Sequence, residues 1–138
     1  MSEANKELVR SYYRVTSGDL AGIEDVVTAN FVDHHFPASL PPGPEGVRTF
    51  FNEVLGAFTE RRIVIDELVA EGDRVVCKFA LVANHTGEFA GIPATNREIV
   101  CAAYSTFRVE GDKLAEGWEL ADLFGLFQQL QAPEPAAV

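Results

Sequence analysis

The same tripeptide occurs twice, as Glu71-Gly72-Asp73 and Glu110-Gly111-Asp112, and each copy interrupts a long run of residues with strand character. A glycine between polar neighbours marks a tight turn, because only glycine takes positive φ at no steric cost. The flanking stretches predict strands over 62–70 and 74–84, then over 98–109 and 113–122, with 87–93 breaking the run between them. The second half of the chain is therefore an antiparallel meander. The first half is helical. Leu8, Tyr12 and Val15 share one face of a helix over 4–17, stopped by Gly18. Asp19 is an N-cap candidate for a second helix over 20–27, and 31–36 reads as a brief strand. Four prolines and a glycine make 37–44 a loop, placed to rim a pocket. Pro44 suits the first turn of a third helix reaching about Phe58, with an apolar stripe that includes Val47, Phe50, Phe51 and Val54. Helices followed by a meander give an α+β plan, in which N-terminal helices pack on a strongly curved, mainly antiparallel sheet around a conical pocket. Residues 1–131 are expected to form a single domain and 132–138 a flexible tail rich in Pro and Ala.

Composition narrows the partners. The chain carries 21 acidic against 11 basic residues, a formal net charge of −10. Such a surface repels phosphate backbones and anionic lipid, so neither nucleic acid nor membrane is an expected partner. The N-terminus is polar and no apolar run approaches the ~20 residues that span a bilayer, so a cytoplasmic protein is expected. Cys77 and Cys101 sit inside apolar runs and read as buried free thiols. No metal-ligand spacing, dinucleotide fingerprint or nucleophile elbow is present in the sequence, and no metal or organic cofactor is expected.

Several side chains could carry chemistry. If Val109 pairs with Leu114 across the second turn, Trp118 falls opposite Ser105 and Asp122 opposite Cys101. Period two then puts Trp118, Leu120 and Asp122 on one face. A carboxylate in apolar company loses hydration, which raises its pKa and fits it to take a proton from a carbon between carbonyls. The alternative for Asp122 is an N-cap on the following helix. His85 shares a face with Cys77, Phe79, Leu81 and Ala83, so it either points into the pocket toward a developing enolate or ties down the loop 87–93. His34 and His35 are neighbours and point to opposite sides of a strand, so at most one faces the pocket. Tyr12, Tyr104 and Ser105 could present hydroxyls inside the cone. Phe51 and Trp118 could supply flat walls for a ligand.

The segment His85-Thr86-Gly87-Glu88-Phe89-Ala90-Gly91-Ile92-Pro93-Ala94-Thr95-Asn96 resembles a motif of the SnoaL-like polyketide cyclases, with Asn96 where glycine is usual. Ser17-Gly18-Asp19-Leu20, Val32-Asp33-His34, Gly46-Val47-Arg48-Thr49-Phe50 and the ending Gly117-Trp118-Glu119-Leu120-Ala121-Asp122-Leu123-Phe124-Gly125-Leu126 extend the resemblance over nearly the whole chain. The resemblance implies the fold of nuclear transport factor two and ketosteroid isomerase. It also implies cofactor-free ring closure of an aromatic polyketide by an intramolecular aldol step. Asp122 would move the proton, and His85 with His35 or His34 would polarise oxygens. Ser105 stands where a ring cyclase would be expected to place a histidine. Relatives also include hydroxylases and epoxide hydrolases, and a non-catalytic binder of a small apolar metabolite is a further alternative. Homodimers packed sheet to sheet are usual for the superfamily, and the apolar outer-face residues Val76, Ala80 and Val82 fit that expectation.

Overall fold

The computed structural model describes residues 2–133. The last five residues of the expected flexible tail, 134–138, lie outside the described residues. The first helix, α1 (Ser2–Ser17), buries Val9, Tyr12, Tyr13 and Thr16. The expected second helix over 20–27 does not form. Leu20 (φ 67°) and Gly22 (φ 84°) both stand in the left-handed region, which a right-handed helix cannot contain, and only a 3₁₀ turn remains at Ile23–Asp25. The chain then enters β1 (Val27–Asp33), earlier than the expected strand over 31–36. The proline loop is pinned to β1 by a hydrogen bond from the Gly43 amide to the Phe31 carbonyl (2.8 Å). Gly43 lies so close to the Ala29 carbonyl that a Cβ has no room, and its φ of 80° adds a second reason for glycine.

Helix α2 (Pro44–Thr49) continues as a π-helical turn over Phe50–Val54 and then stops. Phe58, expected at the end of that helix, instead opens the strand β2 (Phe58–Glu71). The meander follows as read: β3 (Arg74–His85), β4 (Glu98–Glu110) and β5 (Lys113–Ala121), with Gly72 and Gly111 at positive φ in the two tight turns. The final helix, α3, spans Leu123–Gln131.

The five strands form one open sheet in the order β1-β5-β4-β3-β2. Only the β1–β5 pair is parallel. Bulges interrupt β2 at 59–62 and 65–67 and the β4–β5 pairing at 108–109. Each bulge adds a residue to one strand, and the strand bends there. Helix α1 and the α2 turn cover the concave face, where Tyr12, Phe31, Phe51, Phe79 and Phe107 join one core cluster. A smaller cluster sits at the far end, where Leu126 and Leu130 of α3 meet Phe58, Ala83, Ile99 and Cys101. There β5 has left the sheet, and the Gln129 side chain completes the edge by pairing with both the N–H (2.9 Å) and the C=O (2.7 Å) of Val100. Both cysteines are buried free thiols. No helix among the described residues is long and apolar enough to cross a membrane.

Candidate active site

Between the concave sheet and the helices lies a cavity of about 370 Å³. Its walls are apolar: Phe50, Phe51 and Val54 from the α2 turn, Phe79 and Ala103 from the sheet, Leu126 from α3. The polar groups of its lining are few, and His35, Glu119 and Tyr13 are the ones with chemical reach. None of its lining residues comes from 37–44. The proline loop, expected as the pocket rim, instead encloses a separate hollow with Phe31, Val32 and His34.

The reactive end is built where β1 and β5 run parallel. Asp33, the last residue of β1, pairs with Gly117 of β5. A Cβ on Gly117 would stand 3.0 Å from Asp33 Oδ2, so glycine leaves room for the buried carboxylate. Asp33 Oδ1 accepts from the His35 backbone N–H (3.1 Å) and meets His35 Nδ1 at 2.7 Å. The contact with Asp33 fixes the ring, with Nδ1 toward Asp33 and Nε2 toward Glu119. His35 Nε2 lies 3.3 Å from Glu119 Oε2. Burial pushes the Glu119 carboxyl up to about 7; His35 opposes this and the charge of Asp33 adds to it. Burial works against a charged His35, but its hydrogen bond to Asp33 and the charges of Glu119 and Asp33 outweigh it, so the imidazole pKa is raised. Both groups are therefore shifted toward holding a proton, and they face each other across 3.3 Å. Beside them, the Tyr13 hydroxyl is hydrogen-bonded to Ser105 (2.8 Å). Burial, reinforced by the Glu119 charge, holds the Tyr13 phenol well above its ordinary pKa, so it stays a neutral hydrogen-bonding group.

The structure corrects the expected register. Val109 does pair with Leu114, but the bulge at 108–109 shifts the rest of the pairing by one residue. Ser105 faces Glu119, and Trp118 faces Thr106. A slip of one residue exchanges the two faces of a strand. Trp118 and Leu120 therefore lie in the outer-face rows, with Trp118 under the Arg74 guanidinium (4.9 Å), and Tyr104 is exposed there too. Asp122 is exposed and caps α3, its Oδ1 accepting from the Gly125 N–H (2.9 Å), which is the capping alternative. His34 stacks on Trp118 and contacts Glu116 at 2.7 Å, away from the cavity.

His85 does share the inward face with Cys77 and Phe79, and it is fully buried. Its Nδ1 accepts from the Thr95 N–H (3.2 Å), so it ties down the segment after β3 and lies behind the cavity wall, against Phe58. Tyr12 packs in the core rather than in the lining. Ser105 is buried and reaches the cavity only through Tyr13. Of the expected site residues, the structure brings His35 and Phe51 to the cavity and leaves Asp122, His34, Tyr104 and Trp118 outside its lining. Strand and helix periodicity alone single out neither Glu119 nor Tyr13, and the sequence places Asp33 only as a neighbour of the histidines. A signal for Glu119 existed in the adjacent apolar pair Leu114-Ala115, because two consecutive buried residues violate strand alternation and mark the bulge.

The model of the SnoaL-like polyketide cyclase family matches residues 6–130. No curated protein matches the sequence. Among solved structures, TsrD from Streptomyces laurentii superposes with a TM-score of 0.84 at 23% identity, over 95% of this chain and 97% of that one. IdmH from Streptomyces antibioticus, described as a proposed polyketide cyclase, gives 0.78 at 24% identity over 91% and 97%. AclR from Streptomyces galilaeus, described as a proposed hydroxylase, gives 0.71 at 20% identity over 98% and 83%. At these identities the likeness to the three structures is one of fold.

Proposed function

This chain belongs to the SnoaL-like polyketide cyclase family, and we propose that it closes a ring of an aromatic polyketide by an intramolecular aldol step in which Glu119 and His35 handle the proton. One observation carries the reading: the Glu119 carboxyl stands 3.3 Å from an imidazole oriented by Asp33, at the polar end of an otherwise apolar cavity, where burial pushes that carboxyl up to about 7. Ionised Glu119 takes the proton from a carbon between two carbonyls. The resulting enolate carbon attacks a second carbonyl of the same molecule, a C–C bond forms, and the new alkoxide receives a proton from the pair. His35 Nε2 and the Tyr13 hydroxyl are the groups that can hydrogen-bond the developing oxyanion. A base with its pKa near the working pH is the efficient choice.

The test is turnover of polyketide intermediates by the Glu119→Gln variant. Loss of ring closure with retained binding supports the reading; unchanged turnover sinks it. Unchanged affinity with no turnover even in the wild type leaves a non-catalytic binder. A second reading, epoxide hydrolysis, is favoured by the two carboxylates flanking His35, a set that could activate water. Incorporation of oxygen from labelled water into product separates it from ring closure.

We also propose a homodimer packed through the outer sheet face. Val64, Val69, Val76, Val100, Tyr104 and Leu120 are all exposed, and the strand register aligns them on that face. Leu120→Asp should halve the sedimentation mass at micromolar concentration; a wild-type monomer would remove the proposal.

A further inference from the structure

On this acidic chain, four of the eleven basic residues line one open hollow of about 480 Å³. Arg10, Arg14, Ser17, Arg61 and Arg62 form its polar wall, and no acidic side chain lines it. Tyr13 and Ile63 border both this hollow and the cavity. The arginines are not equivalent. Arg10 and Arg14 share Glu7 at 3.4 and 2.8 Å, and Arg62 reaches Glu98 only at 3.8 Å. Arg61 has no ion-pair partner among the described residues. One of its amino groups donates to the Phe58 carbonyl (3.0 Å), and the guanidinium stands 5.7 Å over the ring of Phe51, a cavity residue. Its Nε is buried with no acceptor, and the Ser17 hydroxyl in the same wall is buried with no partner. Partial burial lowers the Arg61 pKa, and no counter-charge opposes it. Unpartnered buried polar atoms are uncommon, and two in one basic wall mark a place where the fold leaves hydrogen-bonding capacity unused.

We propose that this hollow is an oxyanion site, which holds a carboxylate or phosphate group against Arg61 with Arg10, Arg14 and Arg62 supplying attraction. A guanidinium fork matches the geometry of either anion. The anion belongs either to the cavity ligand itself, reaching past Tyr13 and Ile63, or to a separate phosphate-bearing molecule. Binding is read here without turnover, so failure of this site leaves the ring-closure reading, which rests on Glu119, standing.

The experiment is calorimetric titration at low salt with three probes: inorganic phosphate, anthraquinone-2-carboxylate and its methyl ester. The proteins are the wild type, Arg61→Gln, and the exposed double variant Arg10→Gln/Arg14→Gln, each checked for fold by circular dichroism. If the anion is the ligand's own, the acid binds about tenfold tighter than the ester and both variants erase that preference. If it is separate, phosphate binds the wild type, both variants weaken it about tenfold, and acid and ester bind alike. Absence of phosphate binding together with equal binding of acid and ester overturns the site. Anion binding indifferent to both variants overturns it too. Should Arg61→Gln fail to fold, the double variant on the exposed face of α1 decides alone.

Discussion

Two imidazoles occupy opposite ends of the concave face. His35 and His85 each lie beside a phenylalanine ring, at 5.0 Å from Phe50 and 5.3 Å from Phe58. Their neighbours differ. His35 stands between two carboxylates, with Asp33 fixing one nitrogen and Glu119 facing the other, and it opens onto the cavity. His85 is fully buried, its ring bonds only to Thr95, and its Nε2 has no partner among the described residues. Burial alone therefore does not make a histidine reactive. What separates the two ends is a titratable partner and access to a ligand, and only the β1–β5 end has both.

The contrast breaks most decisively at Glu119. Glu119→Gln should lower kcat by about 10²–10⁴-fold, the range for loss of a positioned acid or base. His85→Phe should leave kcat within about a factor of two, because His85 touches neither the cavity nor the proton. Equal losses in single-turnover assays of the two variants would erase the distinction between the two ends.

A second effect is on stability. The Glu119 pKa rises on folding from an ordinary carboxylate value to about 7, so the folded state binds the proton more tightly than the unfolded one. Stability is then greatest below the unfolded pKa and falls as pH rises toward 7. A shift of that size sets an upper limit of about 3 kcal/mol. His35 acts in the same direction, since its pKa is also raised: its contribution is present below the unfolded value and is lost as pH climbs past the folded one. Denaturant titrations at pH 5 and pH 8 should show the wild type losing stability across this window and Glu119→Gln losing less. Parallel pH profiles would mean that Glu119 titrates normally.

At the other end the expected change is smaller and structural. His85→Phe keeps an aromatic ring, though a bulkier one in a fully buried site, and leaves the Thr95 N–H without its acceptor, a loss that costs about 1–3 kcal/mol. A variant as stable as the wild type by urea titration would show that the segment after β3 does not depend on this bond.

The difference between the two ends also explains how far the sequence could be read. The helix-then-meander order, the two glycine turns and the inward face of β3 follow from periodicity and turn chemistry, which are local. The place of His85 on that inward face was legible for the same reason. The second helix was not, because nothing local announces a left-handed Leu20. Glu119 is harder to read because its orientation depends on one extra residue, Ala115, opposite the Arg108–Val109 step, and the apolar pair Leu114-Ala115 is its sole local trace.

Asp122 marks the consequence of that bulge, since regular pairing would have turned it into the cavity. As an exposed N-cap its removal has a defined and modest cost. Asp122→Ala should destabilise by about 1 kcal/mol through the lost bond to the Gly125 N–H, with kcat unchanged. Thermal melts and initial rates on the same preparation check both halves. A kcat as low as that of Glu119→Gln would mean that the last turn of β5 rotates Asp122 inward when ligand is bound. The proton would then pass through Asp122, and the carboxyl group at Glu119 would be left to orient His35.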